Sequence, residues 1–274
     1  MRGKIRLRQV KKGKRKIMDI EKNKVTASEI EALLMGQENK EQREVLMRFF
    51  KTGKGEYGEG DEFLGLKVPQ TRAIVKEAKG LITLDEIEKL LYSRWHEVRL
   101  AGFLLLVEEM KRNMPKRSDK GEVKAKRRKE VAEFYIRHAR QANNWDLVDL
   151  SAQYVVGPYL RLDKNFNDEV LLRLADSDNL WEQRIAIIST LDFIRNGKYD
   201  TTLVLADKLM THPHDLIHKG IGWMLREVGK RDLSTLLQYL EERYDRLPRT
   251  SLRYAIERLP DPERKFWLNR HREG

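Results

Sequence analysis

Apolar residues recur at intervals of three and four along nearly the whole chain, and alternating runs are hard to find. Ile30-Leu33-Leu34, Val45-Leu46-Phe49-Phe50 and Ile185-Ile187-Ile188 are examples. Such spacing lays a hydrophobic stripe along one side of a helix; it does not make the half-buried face of a strand. It predicts helices over 26–35, 39–52, 69–79, 84–92, 96–112 and 131–140. Further helices are expected at 145–156, 167–175, 180–195, 200–210, 214–228, 232–245, 249–257 and 261–270. Gly80, Gly157-Pro158, Ser177-Asp178-Asn179, Asn196-Gly197, His212-Pro213, Gly229, Pro248 and Pro260 punctuate them, all residues that stop helices or shape turns. Thr83-Leu84-Asp85-Glu86 has the spacing of a capping box. The expected fold class is all-α, with short loops joining antiparallel helix pairs that stack.

A repeat is visible in the tryptophans. Trp95, Trp145, Trp181, Trp223 and Trp267 lie 50, 36, 42 and 44 residues apart, close to the roughly 40–47 residues of a two-helix HEAT-type unit. Stacked units of that kind build an α-solenoid with a concave face. The expected organisation is a basic, flexible N-terminal arm over 1–25 and a single HEAT-like α-solenoid over 26–274.

Composition narrows the function classes. The chain has no cysteine, which excludes disulfides, thiolate zinc sites, iron–sulfur clusters and cysteine nucleophiles. The longest apolar run, Phe103-Leu104-Leu105-Leu106-Val107, is far too short to span a membrane. The basic N-terminus leads into no apolar segment and so does not read as a secretory signal. A cytoplasmic location is expected.

The net charge of +12 is concentrated in two places. Residues 1–16 carry nine basic groups and no acidic one, and residues 111–129 carry ten against two. The rest of the chain is slightly acidic. Two such blocks read as flexible segments that attract a polyanion, nucleic acid above all.

Five stretches invite chemistry. Gly53-Lys54-Gly55-Glu56-Tyr57-Gly58-Glu59-Gly60 contains a formal G-x-G-x-x-G. It follows a helix rather than a strand, and two glutamates stand where a pyrophosphate would go, so it reads as a flexible interhelix loop. His214 and His218 stand four apart, but no third metal ligand is identifiable, and Pro213 at a helix start explains the segment. No metal or other cofactor is expected.

Asn143-Asn144-Trp145-Asp146-Leu147-Val148-Asp149 is the most informative stretch. A helix puts Trp145 and Asp149 on one face, one turn apart, and Asp146 near the helix start suits the dipole. A carboxylate beside a tryptophan is either functional or paired with an arginine from a neighbouring helix. Pattern leaves those two readings open. Further on, Trp181 and Arg184 share a face of the next helix. Lys219, Trp223 and Arg226 share a face of a third. Stacked repeats would align Trp145, Asp149, Arg184 and Trp223 along one side.

On these residues the chain resembles the DNA alkylation repair glycosylases of the AlkD type, a family of HEAT-like α-solenoids. The resemblance covers roughly residues 40–270. It is carried by Phe63-Leu64-Gly65-Leu66-Lys67-Val68-Pro69, Asn144-Trp145-Asp146-Leu147-Val148-Asp149, Trp181-Glu182-Gln183-Arg184 and Lys219-Gly220-Ile221-Gly222-Trp223-Met224-Leu225-Arg226-Glu227. It implies hydrolysis of the N-glycosidic bond of cationic N3- or N7-alkylated purines in duplex DNA, by a monomer acting without a metal. Matched residue by residue, Asp149 is the catalytic carboxylate, with Trp145 and Arg184 beside it. Arg184 would grip the DNA backbone without neutralising Asp149. Trp223, Phe49, Lys67, Arg72, Lys219 and Arg226 are the expected DNA contacts. Phe49 stands where the family carries a tyrosine, which keeps the ring and loses a hydroxyl.

An alkylated purine already carries positive charge and leaves without a general acid, which suits a site with no histidine nearby. A non-catalytic solenoid that binds DNA or branched nucleic acid is the alternative. In it Asp149 is a structural ion-pair partner. A protein-binding scaffold is the third reading.

Overall fold

A computed structural model describes residues 24–115, 122–163 and 168–271. The basic block at 1–16 lies outside the described residues, and of the block at 111–129 only 111–115 and 122–129 lie within them. The chain is helical throughout the described residues, with one isolated parallel bridge between Glu62 and Trp95.

Helices α1 (Ala27–Met35), α2 (Lys40–Phe49), α3 (Val68–Ala78) and α4 (Leu84–Leu91) lead into a long α5 (His96–Arg112). Next come α6 (Glu122–Arg137), α7 (Trp145–Asp149), α8 (Ala152–Leu162), α9 (Glu169–Ala175), α10 (Leu180–Ser189) and α11 (Leu191–Arg195). The chain closes with α12 (Asp200–Leu209), α13 (Asp215–Gly229), α14 (Leu233–Arg243), α15 (Arg249–Ala255) and α16 (Asp261–Asn269).

The helices stack in two layers as an α-solenoid. One layer runs α5, α8, α10, α13, α15, each packed on the next; α6, α9, α12 and α14 of the other layer pack against members of the first. Helix α5 is apolar nearly all the way round, as a helix buried on every side must be. It touches α1, α3, α4, α6, α7 and α8, and Val98 through Val107 are buried along their whole length.

Several boundaries differ from those the pattern predicts. The stretch 145–156 is two helices, and so is 180–195. At both breaks, hydroxyls bond back to carbonyls of the preceding turn: Ser151 to Leu147, Ser189 to Ile185 and Thr190 to Ile187. That diverts the backbone from its helical bonds. Gly157-Pro158 is no break, because α8 runs through it. A proline inside a helix costs about 3 kcal/mol, but here Ala152, Val155, Val156 and Leu160 are buried around it. Burial of such side chains at roughly 1.5–3 kcal/mol each for the larger ones exceeds that cost. The basic stretch from 122 onward is not a loose insertion but the first two turns of α6. The capping box at Thr83 is half made. Thr83 accepts the Glu86 amide, while the Glu86 carboxylate caps the Ala27 amide at the start of α1.

The link from α2 to α3 is fixed by one buried carboxylate. Glu97, on the first turn of α5, accepts the amides of Leu64, Gly65 and Leu66 at 2.8, 2.8 and 2.9 Å. Gly65 sits at φ +89°, and a Cβ there would fall 2.0 Å from the Asn39 carbonyl oxygen. The Phe63–Pro69 motif therefore encodes a turn that folds its amides onto one acceptor. Glu97→Ala would orphan all three donors in the interior, at about 1 kcal/mol or more each. We expect urea unfolding to show a loss of about 3 kcal/mol or more.

Candidate active site

The site is assembled from α7, α10, α13 and the loop between α2 and α3. Helix α7 is a single turn whose N-cap, Asn144, accepts the Trp145 amide at 2.9 Å. The turn puts Trp145 at its start and Asp149 at its end, with Asp146 on its buried side.

Asp149 meets Arg184 of α10 in a two-pronged ion pair, Nε to Oδ1 at 2.9 Å and Nη2 to Oδ2 at 2.8 Å. The third nitrogen of Arg184, Nη1, donates to the carbonyl of Leu216 in the first turn of α13 at 2.5 Å. One guanidinium thus ties three helices together. The Arg184 side chain is 5% exposed and that of Asp149 15%, so the pair is largely buried, with Asp149 the less enclosed of the two. Burial pushes the Asp149 carboxyl up, Arg184 pulls it back, and the balance lies above its ordinary value.

Arg184 is not held apart from Asp149 in the way that the resemblance implied. Each of its three nitrogens makes one bond, two to Asp149 and one to the Leu216 carbonyl, and the side chain is buried. The arginine from a neighbouring helix that the pattern allowed is present, and the Asp149 side chain remains 15% exposed beside it.

Beneath Trp145 lies a second polar system. His96, buried at the start of α5, bridges Asp61 (Nδ1 to Oδ2, 2.8 Å) and Asp146 (Nε2 to Oδ2, 2.9 Å). Arg99 donates to the other oxygen of Asp61. Burial pushes His96 down, but the two carboxylates outweigh it and raise the imidazole to about 9. Burial likewise opposes ionisation of Asp61, and His96 and Arg99 hold its carboxyl below the usual range. The imidazolium stacks on Phe63 at 4.3 Å; Phe50 packs against both rings at 5.1 Å and then stacks under Trp145 at 5.2 Å. Asp146 therefore holds α7 down as a hydrogen-bond acceptor of His96, beyond any service to the helix dipole.

The glycine-rich loop is pinned rather than loose. Glu56 and Glu59 accept the amides of Gly53 and Gly55 at 2.9 and 2.8 Å, so the loop's own carboxylates take donors that a phosphate would need. The Gly58 amide donates to Lys51, and a Cβ on Gly58 would lie 2.4 Å from the Phe50 carbonyl oxygen. Between these ties Tyr57 projects onto the site, edge-on to Trp181 and His214 at 6.1 Å each.

His214 therefore stands beside the site, where no histidine was expected. Burial lowers its imidazole, and His218, Lys219 and Arg184 add to the effect against Asp215. Its Nδ1 accepts the Leu216 amide at 3.1 Å, and its own amide donates to His212 Nδ1 at 2.9 Å. Both rings therefore serve as acceptors at Nδ1 in their neutral form.

Among the other candidates, Phe49 is 60% exposed and meets Trp145 edge-on at 5.9 Å. Leu216, Gly220 and Trp223 recur along one face of α13, and Trp223 is half-buried. Lys219 pairs with Asp215 at 2.8 Å, and Arg226 pairs with Glu257. Lys67 and Arg72 are exposed at the start of α3, which packs on α1 and α5. Sequence reasoning missed His96 and Tyr57. The polar run His96-Glu97-Arg99 opening an otherwise apolar helix was the available signal for the first. For the second it was an aromatic residue amid glycines.

A family model described as DNA alkylation repair enzyme matches residues 30–259. No curated protein sequence matches the chain at a significant level. A solved structure described as a predicted DNA alkylation repair enzyme from Enterococcus faecalis is similar in fold. Its TM-score is 0.62 at 19% identity, over 82% of this chain and 98% of that one.

The raised His96 has a defined pH signature. A cation stabilised in the folded state contributes fully below its unfolded value near 6.5, and the contribution is lost as pH rises toward about 9. Urea unfolding between pH 6 and 9.5 should show wild-type stability falling by up to ~3 kcal/mol from this source. His96→Gln, less stable at pH 6, should be much flatter over the same range.

Proposed function

Because the chain belongs to the DNA alkylation repair enzyme family, we propose that it is a DNA glycosylase acting on cationic N3- or N7-alkylated purines in duplex DNA. The observation that carries this reading is a carboxylate, Asp149, fixed in orientation by Arg184 and only partly enclosed, one turn from Trp145.

In the reaction the bond from C1′ to N9 breaks, and its electron pair neutralises the purine cation. The sugar passes through an oxocarbenium-like state that a fixed anion stabilises without reorganising. Water then adds to C1′ and gives its proton to Asp149, which releases it to solvent. Trp145 and Trp223 would face the developing cation with their π systems, worth about 0.5–2 kcal/mol each. Arg184 acts through Asp149. By gripping both oxygens it fixes the carboxylate plane and favours the ionised form against burial. Phe49, Lys67, Arg72, Lys219 and Arg226 would contact the duplex, and their backbone contacts would make binding salt-dependent.

The completeness of the ion pair favours one other reading, a solenoid that binds DNA without chemistry and uses Asp149 only to join helices. The two part on a single assay. Asp149→Asn keeps an acceptor for Arg184 and removes the charge. On the glycosylase reading it abolishes release of 7-methylguanine from methylated duplex DNA while DNA binding persists. Release at the wild-type rate would remove Asp149 from the chemistry, and no release by wild type at any concentration would favour the binding solenoid.

A pH profile follows from the same carboxylate. Only the ionised form works, and its pKa is raised, so activity is lost on acidification sooner than for an ordinary aspartate near 3.9. Single-turnover excision, corrected for spontaneous depurination, should show an acid limb whose midpoint lies above that value.

A further inference from the structure

Two successive residues of α10 clasp the start of α13. Gln183 Oε1 meets His212 Nε2 at 2.8 Å, and Arg184 Nη1 donates to the Leu216 carbonyl at 2.5 Å. Between these two points the chain is closed by imidazoles. His212 Nδ1 accepts the His214 amide at 2.9 Å, and His214 Nδ1 accepts the Leu216 amide at 3.1 Å. Pro213 between the histidines has no amide to offer. The His214 ring also meets Tyr57 edge-on at 6.1 Å, which brings the glycine-rich loop against the clasp.

These bonds settle which proton each ring carries. A backbone amide only donates, so both Nδ1 atoms present lone pairs. The Gln183 side-chain nitrogen donates to the Ser177 carbonyl at 2.8 Å, which leaves its oxygen for His212 and requires an N–H at His212 Nε2. Burial depresses both imidazoles, so at pH 7.5 each is neutral with its proton on Nε2. The Leu216 residue is thus held twice, its N–H by His214 and its C=O by Arg184. Amides in the first turn of a helix have no intrahelical partner, and a turn that frayed here would carry off the carbonyl that Arg184 uses. We propose that His212 and His214 are positioning residues, which by accepting amides at Nδ1 hold the Leu216 carbonyl against Arg184 and so keep the Arg184 fork aligned on the Asp149 carboxylate. This rests on the glycosylase reading above and adds to the site two residues that act on Asp149 only through Arg184.

A cap that served structure alone would cost stability on removal and leave the rate of the folded protein as it was. His214→Ala removes the acceptor, and His214→Asn returns one, because asparagine caps helices through its side-chain oxygen. Helix α13 stays packed on α10, α14 and α15, so both variants should fold. In wild type at pH 7.5, two-bond ¹⁵N–¹H correlation should show the Nε2–H form for both histidines. The Arg184 Nε–H peak, assigned from Arg184→Lys, should move in His212→Ala and His214→Ala and return in His214→Asn. If wild type releases 7-methylguanine, single-turnover excision at saturating enzyme should fall about 3- to 10-fold in His214→Ala, as for one neutral hydrogen bond, and recover in His214→Asn. An Nδ1–H form at either histidine overturns the proposal. So does an Arg184 peak unmoved by His214→Ala, excision at the wild-type rate in that variant, or a failure of asparagine to restore the loss. If wild type releases no base, the glycosylase reading fails separately, and the proposal stands or falls on the tautomers and the Arg184 peak.

Discussion

The ion pair between Asp149 and Arg184 is the constraint on which the rest of the site depends. Two charges have been withdrawn from water, and their mutual attraction roughly repays the desolvation. The net gain in stability is therefore small. The gain in definition is not, because breaking such a pair from one side costs about 3–5 kcal/mol. With a fork of five donors and no freedom to ionise, arginine is suited to this use. It reads the carboxylate with two nitrogens and the Leu216 carbonyl with a third, which sets the register of α7, α10 and α13 together.

Helix α7 shows how far local structure here is a product of its surroundings. Five residues cannot sustain a helix in water, where isolated helices shorter than about 12–15 residues are marginal. The turn persists because it is tied from several directions. Asn144 caps it, His96 holds Asp146, Arg184 holds Asp149, and Ser151 closes it while bonding Tyr135 at 2.8 Å. The aromatic stack of Phe63, His96, Phe50 and Trp145 fills the space below. The polar ties hold the turn along its length while the ring contacts support its start, and Trp145 and Asp149 inherit their positions from both.

Most of the helices were legible in the sequence because their causes are local. Periodic apolar residues set the faces, and Thr83, Asn179 and Pro260 mark starts by mechanisms that act within a turn. Apart from the two split helices, which local hydroxyl bonds interrupt, the misreadings involve distance. Pro158 is tolerated because of what α8 packs against, which its own dipeptide does not encode. The basic run at 122–129 is helical because the same helix buries Val131, Ala132, Phe134 and Tyr135 further on. The candidate residues Trp145, Asp149, Arg184 and Trp223 could be picked out by type and spacing, whereas the partners that define them could not. Arg184 is joined to Asp149 across 35 residues and His96 to Asp146 across 50, and no periodicity links such positions. Tyr57 lay in a segment whose glycines pointed to looseness, whereas two glutamates inside it supplied the closure.

The Leu216 carbonyl has a consequence for how such a chain can change length. Between Arg184 and Leu216 the backbone must pass through α11 and α12 and return a specific oxygen to within hydrogen-bonding distance of the guanidinium it left behind. Added residues there are admissible only if they loop out without altering the layer spacing. Upstream of Asn144 the long-range ties are carboxylates that fasten loops and helix starts: Glu97 gathers the amides of residues 64–66, and Asp61 and Asp146 are joined through His96. From Arg184 to Leu216 the repeat therefore keeps a fixed measure, set by where one carbonyl oxygen must return.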